Sequence, residues 1–548
     1  MRIAVIAIAA MVLSACGGGG GSSTSATTTA AATVNSCSSS GGITISGTIS
    51  YERVPFSATT GGGLDYANIQ TLPARGVVVQ ALGASDCVIN STFTDNSGAY
   101  SLNVTANADV KIRARAQTVN TVGATWDFEV LDNTESNALY VLDGQSVDSG
   151  SDNSVRNLTA ASGWTGSSYG AARSAAPFAI LDSIYDAIQK VVAVDATVVL
   201  DDADVFWSVN NSTANGSIAN GEIGTSFYSG DEMYILGTAN SDTDEFDGHV
   251  IIHEWGHYFE DNLSRSESIG GQHSIGDKLD FRLALGEGFG NAFSGMVTDD
   301  PAYRDSSGAS QGSDFEVNVE TNATVNTGWF SEGSVQTILY DIYDATGDAD
   351  DSVSLGFAPI YNAMTSAAYK TQSSVTSIFS LVNKIKVDNP GSSAAIDALV
   401  VSQSISAIAD EYGFGEANDG GDGNNLPVYK VLANDGIAVP VCSTKANGEP
   451  NKLGARQFMR LNVASGGVYN IVATRVSGLA SSDPDIRVYL NGNLVLIGVS
   501  GTVNTETING NLNEDEYTVE VREFTNTNSN EAASNSAAGD VCFNVTVS

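Results

Sequence analysis

The chain has 548 residues, with 24 lysines and arginines against 63 aspartates and glutamates, a formal net charge of −39 and 42% hydrophobic residues. That length exceeds one ordinary core and implies about three or four units, each with enough apolar content to fold. The charge repels phosphate backbones and anionic lipid surfaces, so nucleic acid is excluded as an expected partner. The acidity reads as a solvated surface suited to a saline or extracellular setting, with Ca²⁺ sites among the acidic loops as the alternative.

Residues 1–16 begin with Arg2, continue through an apolar stretch from Ile3 to Val12 and end Leu13-Ser14-Ala15-Cys16. This is too short to span a bilayer as a helix and reads as a cleaved signal. The ending resembles the lipobox of bacterial lipoproteins. That resemblance implies that Cys16 becomes the acylated first residue and anchors the chain to a membrane. Gly17, in place of an aspartate, implies passage to the outer membrane of a Gram-negative cell. Residues 17–42 are Gly, Ser, Thr and Ala without apolar periodicity, which predicts a flexible tether. The other four cysteines, Cys37, Cys87, Cys442 and Cys542, imply disulfides in an exported chain. Their positions near the two ends suggest Cys37 with Cys87 and Cys442 with Cys542, although four cysteines permit three pairings.

Residues 43–117 alternate apolar and polar side chains in short runs, as in Ile43 to Ile49, Gly76 to Leu82, Tyr100 to Val104 and Val110 to Ala114. With the turn Thr94-Asp95-Asn96-Ser97-Gly98-Ala99-Tyr100, the stretch resembles the carboxypeptidase regulatory-like β-sandwich family, which implies a spacer or binding surface. The period changes in residues 118–415. Pro177 to Ile188 predicts an amphipathic helix, Val205 to Val209 and Met233 to Leu236 predict strands, and helical runs follow at Val335 to Tyr343, Val375 to Ile385 and Ala394 to Ala409. Residues 416–430, containing Asn418-Asp419-Gly420-Gly421-Asp422-Gly423-Asn424-Asn425, read as a linker, since the spacing does not match an EF-hand calcium loop. Residues 431–548 return to alternation and, with Asp483-Pro484-Asp485, resemble the prepeptidase C-terminal β-sandwich found behind secreted bacterial proteases.

Three of the four histidines fall within Gly248-His249-Val250-Ile251-Ile252-His253-Glu254-Trp255-Gly256-His257. On a helix His253 and His257 share one face a turn apart, so two imidazoles can hold one Zn²⁺ with Glu254 in the same cleft. A hydrolytic zinc site needs a third protein ligand and an open position. Glu287, in Ala284-Leu285-Gly286-Glu287-Gly288-Phe289-Gly290-Asn291-Ala292-Phe293-Ser294, is the best candidate, because its flanking glycines allow a second helix to come close. A fourth ligand would close the site, so His249 is set aside as a neighbour, and Trp255 reads as core.

H-E-W-G-H followed by G-E-G-F-G-N-A-F resembles the gluzincin metallopeptidases, above all the fungalysin and thermolysin branches. The resemblance implies an α+β zincin-like peptidase domain, here flanked by two all-β sandwiches. It also implies His253, His257 and Glu287 as metal ligands, Glu254 as the catalytic carboxylate, and an edge strand, expected at Met233 to Leu236, to which an extended peptide adds. Two positions depart from those relatives. Asn291 stands where an aspartate orients a zinc histidine, with Asp280 as the alternative orienting group. No motif marks the donor to the developing oxyanion, for which His273 is the first candidate, ahead of Tyr340 and Tyr343.

The function expected is zinc-dependent endopeptidase cleavage of a protein or peptide by an exported, lipid-anchored enzyme. A surface adhesion lipoprotein with a decayed peptidase domain is the alternative from another class. An exopeptidase is a third reading, although the G-x-M-E-N motif that captures a free amine is absent.

Overall fold

The computed structural model describes Cys37 and residues 42–321, 326–344, 352–528 and 539–548. The expected signal with Cys16, and nearly all of the tether, lie outside the described residues. The chain opens with β1 (Ile43–Arg53), β2 (Val77–Leu82), β3 (Val88–Phe93), β4 (Ala99–Val104), β5 (Asp109–Val122) and β6 (Ala124–Asp132). Burial follows the period of two expected of half-covered strands: in β5, Val110, Ile112, Ala114, Ala116 and Thr118 all face inward. β1 pairs antiparallel with β4, and β2 pairs with both β3 and β5. The Cys37–Cys87 disulfide ties the start of this region to the loop before β3.

The boundary expected between residues 117 and 118 falls inside β5. That strand hairpins into β6, which lies parallel to β7 (Ala203–Trp207), itself parallel to β9 (Glu232–Ile235). With the three-residue β8 (Phe227–Ser229), the order is β8-β9-β7-β6-β5-β2-β3. The first β-region and the strands leading to the histidine motif thus share one sheet, because alternation reveals a strand without revealing the sheet it joins. For the same reason the edge strand expected at Met233 to Leu236 is internal, with β8 covering its outer side and Tyr228 opposite Met233.

Between β6 and β7 runs α1 (Ala176–Val192), whose apolar stripe packs on α2 (Gly248–Asn262) and on β5 and β6. α2 is buried on every side from Gly248 to Glu260, as befits a helix at the centre of a domain rather than on its surface. A small sheet includes β10 (Asp242–Thr243), just before α2, and β11 (Ala302–Ser307) paired with β12 (Ser313–Asn318), which follow α3 (Phe281–Thr298).

Of the later helices, α4 (Glu332–Tyr343) starts one turn earlier than its apolar run because Ser331 caps it, accepting from the Ser334 amide. The expected 394–409 helix stops at Ser402: Ser404 turns to φ +58°, and the Ile405 amide donates back to the Val400 carbonyl at 3.0 Å. The C-terminal region is a pair of antiparallel-rich sheets of five and four strands around a core that includes Met459, Ile471, Val519 and Phe543. Cys442 and Cys542 face each other on neighbouring strands and form the second disulfide, completing the pairing suggested by position.

The described chain divides into two compact units, one of residues up to 263 with 290–319, the other of 264–289 with 320–548. α3 is a single helix shared by both. The C-terminal sheets therefore belong with the helical segment 320–415 and are not a separate appendage behind a linker. Residues 416–430 are pinned: the Asn418 amide donates to the Thr327 and Ser404 carbonyls at 3.0 Å each, and Trp329 Nε1 donates to the Asn418 carbonyl at 2.8 Å. The glycine-rich composition that predicted a linker serves a tight, hydrogen-bonded corner, with Gly420 and Gly421 at positive φ.

Candidate metal centre

His253 and His257 lie on one face of α2 with their rings edge to face and their Nε2 atoms 3.1 Å apart. His253 Nδ1 lies 2.9 Å from Asn291 Oδ1, and His257 Nδ1 lies 3.5 Å from Glu260 Oε2. Those oxygens accept, so a proton on Nδ1 of each ring is the arrangement they favour, and it turns the Nε2 lone pairs toward one another. Two lone pairs so placed repel unless a cation lies between them. Two nitrogens on a tetrahedral Zn²⁺ sit about 3.3 Å apart, so the spacing fits that ion.

Glu287 lies one turn before Asn291 on α3 and is fully buried. Its carboxylate and the two imidazoles bring their ligand atoms within 4.8 Å of one another. Close approach of α2 and α3 depends on glycine at two positions: a Cβ at Gly290 would sit 2.8 Å from His253 Nδ1, and one at Gly256 would sit 3.2 Å from the Gly290 Cα. Two imidazoles and one carboxylate are a borderline-soft set suited to Zn²⁺, and they leave a fourth position for water or substrate. Glu254 follows His253 on α2 and is buried.

Asn291 occupies the orienting position, as its sequence place implies. Asp280 does not serve: it holds Arg282 through contacts of 2.9 and 2.8 Å at the start of α3. Glu260 was overlooked in the sequence, although its spacing from His257 on one helix made it legible.

The His273 expectation is corrected. Its Nε2 lies 3.2 Å from Glu287 Oε2 and its Nδ1 2.7 Å from Glu332 Oε2. Burial opposes its charge, but the two carboxylates outweigh burial and hold its pKa well above the usual value. With both nitrogens facing carboxylates, His273 positions Glu287 and does not offer a donor to a reacting carbonyl. Tyr340 and Tyr343 pack against each other on α4, with tilted rings whose centroids lie 5.7 Å apart.

The residue that sequence reasoning missed is Tyr303 on β11. Its ring meets that of His253 edge-on at 6.1 Å, and burial, followed by the charges of Asp305 and Glu254, holds its phenol well above the usual range. A lone tyrosine beyond the third ligand candidate carries no motif, so only the sheet that places β11 beside α2 reveals it.

His249 stands outside the ligand cluster, with Nδ1 3.1 Å from Ser294 Oγ. Burial lowers its pKa from 6.5 to about 4. The unfolded chain therefore binds a proton that the native state refuses between those values, and stability falls as pH drops through that window. In the metal-free protein this amounts to up to about 3 kcal/mol. His249→Asn should flatten that acid limb in denaturant unfolding at pH 7 and pH 4.5; an unchanged slope counts against a buried neutral ring.

A buried His-His-Glu cluster with an adjacent glutamate defines a candidate metal centre of hydrolytic type. Residues 205–398, which contain α2 and α3, match the family model of the Mycolysin C-terminal domain. This is less than half of the chain, and it marks that stretch as similar to a peptidase-associated domain. No curated protein matches. Among solved structures, the pre-peptidase C-terminal domain of collagenase from Bacillus anthracis aligns at 15% identity over 22% of this chain and 96% of that one, with a TM-score of 0.16. A putative carbohydrate binding protein from Pseudomonas aeruginosa aligns at 13% identity over 22% and 88%, with a TM-score of 0.13. A family 35 carbohydrate binding module from Clostridium thermocellum aligns at 20% identity over 21% and 94%, with a TM-score of 0.13. Scores this low carry no argument about the fold or the activity of this chain.

Proposed function

We propose that the protein is a zinc-dependent endopeptidase of gluzincin type. The observation that carries this reading is the convergence of His253, His257 and Glu287, with the two Nε2 atoms facing each other at 3.1 Å. The match of residues 205–398 to the Mycolysin C-terminal domain supports it.

Bound Zn²⁺ would supply Lewis-acid polarisation of the scissile carbonyl and acidify water. Asn291 and Glu260 fix the two imidazoles in the ligating tautomer, and His273 steadies the Glu287 carboxylate. Glu254 takes the proton from the attacking water and returns it to the leaving amine. Tyr303 donates its phenol proton in a hydrogen bond to the developing oxyanion, the role vacated by His273. Peptide binding by strand addition would use β8, the terminal strand of the sheet next to β9.

Zinc analysis and cleavage of a mixed peptide library, before and after chelation and zinc return, test the assignment. Stoichiometric zinc with internal, chelator-sensitive cleavage supports it. Zinc without cleavage favours the adhesion reading, and release of single terminal residues favours an exopeptidase. Tyr303→Phe should keep zinc and KM while lowering kcat about a hundredfold, whereas His273→Asn should weaken zinc retention; the reverse pattern would reassign both residues.

Export and lipid anchoring through Cys16 to the outer membrane remain part of this proposal, on the strength of the L-S-A-C ending. Among the described residues no helix is long and apolar enough to cross a membrane.

A further inference from the structure

A second group of potential metal ligands lies apart from the histidines. Asp242 on β10, Asp244 in the turn that leads to α2, and Asp305 on β11 bring carboxylate oxygens within 4.8 Å of one another. Asp244 is 2% exposed, and its Oδ2 accepts from the Ser226 hydroxyl. Its Oδ1 is sealed from solvent and has no hydrogen-bond partner, as is true of Oδ1 of Asp242 and of Asp305. Among the described residues none of the three forms an ion pair with a lysine or arginine. A further carboxylate, Asp247, is fully buried close by, with its oxygens taken by the Ser306 amide at 2.7 Å and the Ser306 hydroxyl at 2.8 Å. Burial, together with the charges of their neighbours, pushes the carboxyls of Asp244, Asp247 and Asp305 well above the usual range.

Buried carboxylates without cationic partners are costly, and a bound cation relieves both their desolvation and their repulsion. We infer that Asp242, Asp244 and Asp305 form a calcium site that ties the entrance of α2 to β11. An all-carboxylate set is hard, which disfavours zinc, a metal that prefers nitrogen and sulfur donors. Mg²⁺ demands a near-ideal octahedron and dehydrates reluctantly, which does not suit three converging side-chain carboxylates. Ca²⁺ accepts irregular oxygen cages. Asp244 shortly precedes α2, which carries His253, Glu254 and His257, and Asp305 lies two residues beyond Tyr303 on the same face of β11. The ion would therefore hold the start of the histidine helix and the tyrosine strand in register. The site does not depend on the zinc reading.

Calcium titration of the metal-stripped full chain, by calorimetry and thermal unfolding, tests the inference. One Ca²⁺ should bind, raising the melting temperature by on the order of 5 °C at saturation. Asp244→Asn and Asp305→Asn should weaken binding roughly tenfold or more, while the metal-free variants melt no lower than metal-free wild type, because each removes a repelling charge. Asp152→Asn, on the surface, should behave as wild type. His253→Ala should still bind calcium, which separates this result from any failure of the zinc site. The inference is overturned if millimolar Ca²⁺ leaves the melting temperature unchanged, if the Asp244 and Asp305 variants respond like wild type, or if Mg²⁺ produces the same shift.

Discussion

Glu254→Gln should leave zinc content and fold intact while lowering kcat by roughly 10²- to 10⁴-fold, the range that a positioned general base contributes. The amide matches the carboxylate in shape, so the buried position beside His253 stays filled. What it lacks is a site for the proton leaving the attacking water and a proton to give to the departing amine. KM should change little, because in the proposed mechanism Glu254 acts on the reacting atoms and not on the remote parts of the peptide. Replacement of His257 or Glu287 should instead strip the metal, and activity would then fail together with zinc content. Steady-state kinetics beside metal analysis separates the two patterns. A Glu254→Gln protein that keeps more than about a tenth of wild-type kcat would remove Glu254 from the mechanism.

Glu520→Ala should cost about 3–5 kcal/mol of stability, the penalty for breaking a buried ion pair from one side. Glu520 is 2% exposed and lies among three arginines, Arg282 at 3.1 Å, Arg456 at 3.6 Å and Arg522 at 3.8 Å. Burial alone would raise its pKa, but these charges overcome burial and hold it near 2. The arginines are unequal: the pKa of Arg282 is raised by its carboxylate partners, whereas burial lowers that of Arg456 to about 10. Arg282 is thus the principal partner, and it sits in the first turn of α3, one and a half turns ahead of Glu287.

The folded-state pKa lies below the ordinary 4.5, so this contribution is present above pH 4.5 and is lost as pH falls toward 2. Denaturant unfolding at pH 7 should show the full loss in Glu520→Ala, and wild type and variant should converge in acid. A cost under 1 kcal/mol at pH 7 would mean that the arginine cluster is satisfied without Glu520. Because the ion pair joins α3 to a strand of the C-terminal sheets, removing residues 431–548 should also disturb Glu287.

The helix motif was legible because its spacing is local. Once Gly248 to Asn262 is helical, His253 and His257 must share a face, and Glu260 must follow one turn on. The glycines around Glu287 announced a close helix approach, and Gly256 and Gly290 make it. The disulfide pairing followed from positions near the ends, where the alternatives required cysteines to meet across the length of the chain. The domain lines at 117/118 and at the glycine-rich segment were not legible, since strand pairing between β6 and β7 and the hydrogen bonds of Asn418 join segments far apart in sequence.

The order of residues along the chain determined which side chains each helix turn and strand presents, because backbone geometry repeats over a few residues. It did so for the histidine motif and the cysteine inventory. Only the tertiary structure decided that His273 braces Glu287, that Tyr303 lies beside His253, and that Asp242, Asp244 and Asp305 meet. Each of these depends on distant segments being brought together by packing, and no local period encodes which segments those are.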